Sequence, residues 1–314
     1  MKKSVLHNYK PSLNLFLGLV ILFYSCSKDP AIPSVDNLVC TDIPPFQGTG
    51  WGYNYITTGA PLYIAPELNP SNNNELLILK NDSVFIFNRG LNNKTFSFKF
   101  SFWNKISWSK KNWLIMAGSD QKIYKIKPNG DSLTLLVNTL NNFNPIWNDS
   151  GTQFCVQNNT INKVVRYDDN GVPIDTIQQL TNHPLSDWGS NNKIIFGLYT
   201  LFVYDFNNNN RINLYTLPSG KGSFSGFFWL NNNEFIWSYT YGIYKTNILT
   251  NQTTLLKYTC NSNEYAYPTY DKMANKIIWL KAENELIDAN NVKTVSKIVM
   301  TDIDCNNETE IIIN

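Results

Sequence analysis

Histidine is nearly missing from this chain of 314 residues, which contains two, His7 and His183. His7 falls in an N-terminal targeting segment, so His183 is the one imidazole expected in the mature protein. A single imidazole excludes a histidine-rich metal centre, and no cysteine pair has the spacing of a zinc site. The nearest match to a Gly-x-Ser-x-Gly turn, at 222–226, has Phe224 at the nucleophile position. We therefore expect neither a metal nor a cofactor, and no catalytic residue stands out.

Charged residues are also scarce, at 16% of the sequence, with 26 Lys and Arg against 24 Asp and Glu. Removal of residues 1–25 takes away three lysines and no acid, which changes the formal charge from +2 to −1. No block of basic residues occurs anywhere. Proteins that bind nucleic acid need such a block to reach the phosphates, so nucleic acid is not an expected partner.

The apolar run at residues 13–23 follows Lys2, Lys3 and Lys10. It is shorter than the ~20 residues that a membrane-spanning helix needs, and it is typical of a secretory signal. The run ends in Leu-Phe-Tyr-Ser-Cys, which resembles a bacterial lipoprotein cleavage box. We predict a lipoprotein signal peptide at 1–25 and lipid attachment at Cys26. An ordinary signal peptide with an incidental cysteine is the alternative.

A diacylglyceryl-cysteine supplies more than one acyl chain, which stable membrane anchoring requires. The sequence thus predicts a protein of the bacterial cell envelope, anchored by lipid at the outer membrane. Residues 26–60 would form a tether and an N-terminal closing segment, and 61–314 the folded domain.

Aromatic residues are plentiful, at 14%, and one of them returns at a nearly constant interval. Successive members of this series are 39, 41, 41 and 41 residues apart, and Leu68 lies 40 residues before the first. We call this series, with Leu68, the marker residues: Leu68, Trp108, Trp147, Trp188, Trp229 and Tyr270. A period near 40 residues is typical of a propeller or another repeat architecture.

Each repeat contains four short runs of β-branched and aromatic residues, separated by Asn, Gly and Pro. Such runs predict strands, and four strands per repeat predict a propeller blade. The fold class is therefore all-β: a six-bladed β-propeller with four antiparallel strands per blade. The predicted blades span 61–99, 102–138, 143–178, 184–217, 224–258 and 266–313. We expect the marker residues to pack between blades. Residues 50–56 would close blade six or add a strand beside residues 310–313.

The segments Pro-Ile-Trp-Asn-Asp-Ser-Gly-Thr-Gln-Phe at 145–154 and Ile-Tyr-Lys-Ile-Lys-Pro-Asn-Gly-Asp at 123–131 resemble the repeat of TolB-type six-bladed propellers. The resemblance extends over roughly 61–313, although blades four and five have Asn runs in place of the Asp-Gly turn. It implies residence in the envelope and docking of a protein or peptide on a propeller face.

Cysteine gives little information about function. With Cys26 lipidated, four cysteines remain, which allow three full pairings. Cys155 falls in a buried strand and is expected to be a free thiol. Cys40 precedes blade one, and Cys260 lies in the linker that enters blade six on the same face, so we predict a Cys40–Cys260 disulfide in this oxidising compartment.

A candidate ligand face follows from the propeller layout, in which loops between second and third strands share one face with the blade linkers. On this chain those segments carry five tyrosines, and aromatic residues are enriched at recognition surfaces. The alternative is that they are ordinary strand-forming residues that cover loops. The candidate residues are Tyr199, Tyr239, Tyr241, Tyr265 and Tyr267.

Together these features predict a non-catalytic binding or scaffolding module for an envelope protein, a peptide or a glycan. Two alternatives stay open. One is a hydrolase or lyase with carboxylates in the central channel, since any two acids could meet there. The other is a purely structural component of an assembly.

Overall fold

The computed structural model describes residues 54–56, 63–80, 83–99, 102–180, 185–217, 224–239, 242–259 and 263–313. The predicted lipid-attachment residue Cys26, the predicted disulfide partners Cys40 and Cys260, and Tyr241 lie outside these ranges. In the described ranges, no helix is long and apolar enough to cross a membrane.

The described chain forms six sheets; five are built from four consecutive strands each, and the sixth combines the last four strands with the first. Blade one contains β2 (Tyr63–Leu68), β3 (Glu75–Lys80), β4 (Ser83–Asn88) and β5 (Asn93–Lys99). Blade two contains β6 (Phe102–Trp108), β7 (Leu114–Gly118), β8 (Ile123–Ile126) and β9 (Thr134–Val137). Blade three contains β10 (Asn142–Trp147), β11 (Gln153–Asn158), β12 (Lys163–Asp168) and β13 (Pro173–Ile177).

Blade four contains β14 (Leu185–Trp188), β15 (Lys193–Gly197), β16 (Thr200–Asp205) and β17 (Asn210–Thr216). Blade five contains β18 (Phe224–Trp229), β19 (Glu234–Tyr239), β20 (Gly242–Asn247) and β21 (Gln252–Tyr258). Blade six contains β22 (Asn263–Asp271), β23 (Lys276–Leu286), β24 (Asn291–Asp302), β25 (Thr309–Glu310) and β1 (Asn54–Ile56). The predicted six-bladed architecture is confirmed.

Burial within a blade follows the position of each strand. The second strand is buried on both faces, as in β7, where all five residues are buried. The fourth strand is mostly exposed, as in β13, where only Ile177 is buried. A blade therefore cannot cover its own inner strands, and neighbouring blades must bury them.

Six hydrophobic clusters in the described residues fill the six spaces between blades, and each draws its residues from two neighbouring blades. A marker residue of the later blade lies in or against each cluster. Trp108, for example, packs with Leu77 and Ile86 of blade one. The four marker tryptophans are each 4% exposed, so the prediction that they pack between blades is confirmed. Truncation of such a residue typically costs about 3–5 kcal/mol.

Blade six is closed from both ends of the described chain. The strand β1 pairs in parallel with β24 at Asn291–Lys293, and β25 pairs antiparallel with β24 at Val299 and Met300. Both strands therefore lie on the outer edge of β24. An uncovered edge invites pairing with another chain, and this arrangement protects it.

The two cysteines in the described ranges, Cys155 and Cys305, are buried free thiols. Burial raises the pKa of the Cys155 thiol well above its ordinary value and that of Cys305 to about 12. Both are therefore unreactive at neutral pH. The prediction that Cys155 is a free core thiol is confirmed.

Candidate functional site

The first strand of each blade lies innermost, and together these six strands line the central channel. Each is irregular near its middle: its pairing with the second strand shifts register, as between Ile64 and Glu67 or between Ala266 and Thr269. Such bulges bend a strand and change where its side chains point. We call the end of the channel at the marker residues the marker face and the opposite end the linker face.

The residue before the marker joins neighbouring blades. The Trp147 N–H donates to Ser107 Oγ at 3.2 Å, the Trp229 N–H to Asp187 Oδ2 at 2.8 Å, and the Leu68 N–H to Thr269 Oγ1 at 3.4 Å. The Trp108 N–H bonds to the Glu67 carboxylate in the same way. Four of the six blade interfaces thus have a side-chain acceptor for the marker N–H, which lies on the inner edge of its sheet.

A cavity of about 390 Å³ opens at the marker face. All six inner strands contribute to its wall, which combines indole rings and other apolar side chains with hydroxyl and carboxylate groups. This size and mixture are typical of ligand pockets. We call it the marker-face cavity, and its inner-strand residues are Glu67, Leu68, Ser107, Trp108, Trp147, Asp187, Trp188, Phe228, Thr269 and Tyr270.

Three charged residues meet at the base of this cavity. Lys105 Nζ lies 3.1 Å from Glu67 Oε2 and donates a hydrogen bond to the Ser186 carbonyl oxygen at 3.3 Å. Asp187 is close enough to interact electrostatically with both Lys105 and Glu67. The Lys105 contact with Glu67 Oε2 is an ion pair without hydrogen-bond geometry, so this buried oxygen accepts no hydrogen bond from the described residues. Two carboxylates share one ammonium, which leaves one negative charge without a partner when all three groups are ionised.

Burial controls the protonation of these three side chains. It raises the pKa of Asp187 to about 6, against the lowering effects of Lys105 and the Trp229 N–H. Burial likewise raises the pKa of Glu67, and the charge of Lys105 offsets it only in part. Burial alone would lower the pKa of Lys105, but the carboxylates of Glu67 and Asp187 more than compensate, and its pKa is raised. Lys105 is therefore an ammonium at neutral pH.

A second cavity, of about 240 Å³, lies on the linker side of Lys105. Five inner strands contribute to it, and Lys105 and Tyr267 are among its lining residues. The side chain of Lys105 thus borders the linker-face cavity, while Glu67 and Asp187 border the marker-face cavity. The ionic group forms a polar layer between the two.

The structure separates the predicted tyrosines rather than gathering them into one exposed rim. Tyr239 and Tyr265 are each 4% exposed and belong to the clusters between blades. Tyr199 is 59% exposed and Tyr267 is 39% exposed, both at the linker face. Tyr267 borders the linker-face cavity and has a positive φ of 49°. Tyr241 lies outside the described residues.

The described residues contain no group of three or more His, Cys, Asp or Glu side chains that could hold a metal ion. Glu67, Lys105 and Asp187 were not predicted from the sequence. A signal was present, because the position before the marker is polar in four repeats, at Glu67, Ser107, Asp187 and Thr269. Lys105, three residues before its marker, is likewise the one charged residue in its inner strand.

Comparison with known proteins shows no family for this chain. The described domain is a six-bladed β-propeller. No protein-family model matches the chain, and no curated protein matches it in sequence. Among solved structures, that of "putative TolB" from Agrobacterium tumefaciens matches with a TM-score of 0.40 and 12% identity, covering 80% of this chain and 81% of that chain. A likeness of this strength says nothing about what this chain binds.

Proposed function

We propose that this protein is a lipid-anchored, non-catalytic binding module of the bacterial outer membrane, and that it binds a protein, peptide or glycan partner at the marker-face cavity. The observation that carries the proposal is the cavity itself, which all six blades build. The aromatic side chains of the wall supply contact area, and the buried polar groups at the base fix the orientation of the ligand. The anchor rests on the sequence alone, on Cys26 after its short apolar run.

The contacts of the two carboxylates favour binding over catalysis. Glu67 pairs with Lys105 at 3.1 Å, and Asp187 accepts the Trp229 N–H at 2.8 Å. Both groups are therefore engaged in joining blades, and a proton-transfer role would have to interrupt those contacts. The exposed tyrosines at the linker face, Tyr199 and Tyr267, remain a second candidate surface.

Site-specific photocrosslinking in the native envelope tests the proposal. A photoreactive residue replaces Met273, which is 83% exposed and lines the marker-face cavity, or Tyr199, which is 59% exposed at the linker face. We expect a defined crosslinked partner from position 273 and none from position 199. A partner captured only from position 199 would move the site to the linker face. Mass spectrometry of the mature N-terminus tests the lipid on Cys26 independently.

A second candidate function is a hydrolase or lyase that uses the channel carboxylates. The observation in its favour is the pKa of about 6 for Asp187, since perturbed acids in a cavity often mark catalytic sites. An acid of this pKa would lose activity as the pH rises above ~6. Incubation of the protein with envelope glycans should then release fragments, and Asp187→Asn should abolish the release. Equal release by both proteins, or none by either, would exclude this candidate.

A further inference from the structure

The base of the marker-face cavity has a charge that its own residues do not balance. Glu67 and Asp187 both line it, and one ammonium, that of Lys105 on the linker side, pairs with Glu67 at 3.1 Å and interacts electrostatically with Asp187. We infer that the cavity takes a cationic side chain of a peptide or protein, a lysine or an arginine, which approaches Glu67 and Asp187 from the marker face. This inference rests on the proposed binding role of the cavity.

The hydrogen bonding of Glu67 provides an observation beyond the charge of the acidic pair. The residue is 9% exposed, it lines the cavity, and its Oε2 accepts no hydrogen bond within the described part of the chain. Lys105 Nζ lies 3.1 Å from this oxygen but without hydrogen-bond geometry, and a buried carboxylate oxygen that accepts no hydrogen bond is costly. An entering ammonium or guanidinium group brings several donors and would satisfy this oxygen directly.

The charged residues at the rim of the cavity do not cancel the negative charge at its base. Lys110 and Asp149 neutralise each other across 2.6 Å, and their side chains are 45% and 33% exposed. Lys272 is exposed, so solvent and salt screen its charge. At the same distance, two charges interact roughly fourfold more weakly in water, with a dielectric constant of about 80, than in a site with an effective dielectric constant of about 20. The negative base therefore dominates the choice of ligand.

The wall of the cavity fits the alkyl part of a long cationic side chain. Trp108, Trp147 and Trp188 all line the cavity. Indole faces attract cations and also pack against methylene groups. A lysine or arginine could thus place its alkyl part against the rings and its charge at the base.

Titration of the mature protein with two matched probes tests the inference. The first probe is Nα-acetyl-lysine amide, and the second is Nα-acetyl-norleucine amide, which lacks the ammonium. Intrinsic fluorescence reports binding, because three tryptophans line the cavity. We expect the lysine probe to bind at least tenfold more tightly than the norleucine probe. Equal affinity, or no saturable binding of the lysine probe, would overturn the inference.

The pH dependence of wild-type binding gives a test that needs no variant. Asp187 is ionised above pH ~6, and Glu67 and Lys105 are the charged groups that face it from other strands. Affinity for the lysine probe should fall as the pH falls below 6, while affinity for the norleucine probe should not change.

Glu67→Gln should remove the preference for the lysine probe.

Three further outcomes separate this inference from the proposed function. If glucosamine binds more tightly than the lysine probe, the cavity recognises an amino sugar and the peptide assignment is wrong. If the partner crosslinks only from position 199, the proposed function fails whatever the probes show. A partner that crosslinks from position 273 but competes with neither probe would overturn only the cationic assignment.

Discussion

Arg89 and Asp271 form a 2.7 Å ion pair although they are 182 residues apart in the sequence. The pair joins the third-strand end of blade one to the first-strand end of blade six, so it closes the ring. The Asp271 side chain is fully buried, and the Arg89 side chain is 17% exposed. Asn73 also donates to Asp271, at 3.2 Å. Closure thus combines hydrophobic packing with a buried ionic contact.

Loss of the cation from this pair should be costly. Arg89→Met leaves the Asp271 carboxylate buried with hydrogen bonds but without an opposite charge. We expect a loss of about 3–5 kcal/mol in the free energy of unfolding. Equilibrium urea unfolding measures it. The matched control is Lys111→Met, which removes the cation from the 2.7 Å pair with Asp169. Those side chains are 44% and 32% exposed, so the control should lose less than ~1 kcal/mol. Similar losses in both variants would show that Arg89 does not hold the ring together.

The Asp187 carboxyl should make stability depend on pH. Its folded-state pKa of about 6 lies above the ordinary 3.8, so the folded protein binds this proton more tightly than the unfolded chain does. The corresponding stabilisation is fully present below pH 3.8 and is lost as the pH rises through 6. Its full extent is about 3 kcal/mol. Asp187→Asn keeps an acceptor for the Trp229 N–H but cannot titrate. The variant should gain stability relative to the wild type between about pH 4 and pH 8, and a constant difference would contradict the assignment.

Lys105 should stabilise the protein through its charge. Lys105→Met leaves Glu67 and Asp187 buried without a cation, and we expect a loss of about 3–5 kcal/mol near pH 8. The loss should shrink at lower pH, because the two carboxylates then bind protons. The control is the double variant Lys105→Met with Glu67→Gln, which removes one unpaired acid and should recover part of the loss. If the double variant loses the sum of the two single losses, the residues do not interact.

Gly226 should tolerate no side chain. Its φ is +147°, and a Cβ there would lie 2.8 Å from the Tyr267 backbone nitrogen of the neighbouring blade. Gly226→Ala should therefore destabilise the protein by more than ~1 kcal/mol. Gly90 is the control, because a Cβ there would meet its nearest atom at 3.4 Å and the φ is not positive. Gly90→Ala should change stability by less than ~0.5 kcal/mol. Thermal unfolding of the two variants side by side distinguishes these outcomes.

The repeat made the architecture predictable, because each blade needs the same buried residues at the same positions. Trp108, Trp147, Trp188 and Trp229 mark four interfaces directly. The predicted blade limits agree closely with the strands observed; blade two, for instance, was predicted at 102–138 and runs from Phe102 to Val137. Of the two arrangements predicted for residues 50–56, closure of blade six is the one observed, since β1 pairs with β24; the sequence left the choice open because this pairing joins distant parts of the chain.

The channel chemistry was harder to predict because it departs from the repeat. Lys105, Glu67 and Asp187 come from three different blades, at two different positions relative to their markers. Only the closed ring brings them together. The tyrosines posed the opposite difficulty: Tyr239 and Tyr199 occupy similar positions in neighbouring repeats, yet one is 4% and the other 59% exposed. Tyr239 ends a strand and belongs to the core because the preceding blade packs on it.

Binding at the marker-face cavity is the central claim, and the affinity of the captured partner for two variants tests it most directly. Met273→Trp places a large ring at the cavity mouth, whereas Leu249→Trp places one on a turn of blade five that does not line the cavity, where Leu249 is 73% exposed. We predict that Met273→Trp weakens the measured Kd at least tenfold and that Leu249→Trp leaves it unchanged. Unchanged affinity for both variants would contradict the account.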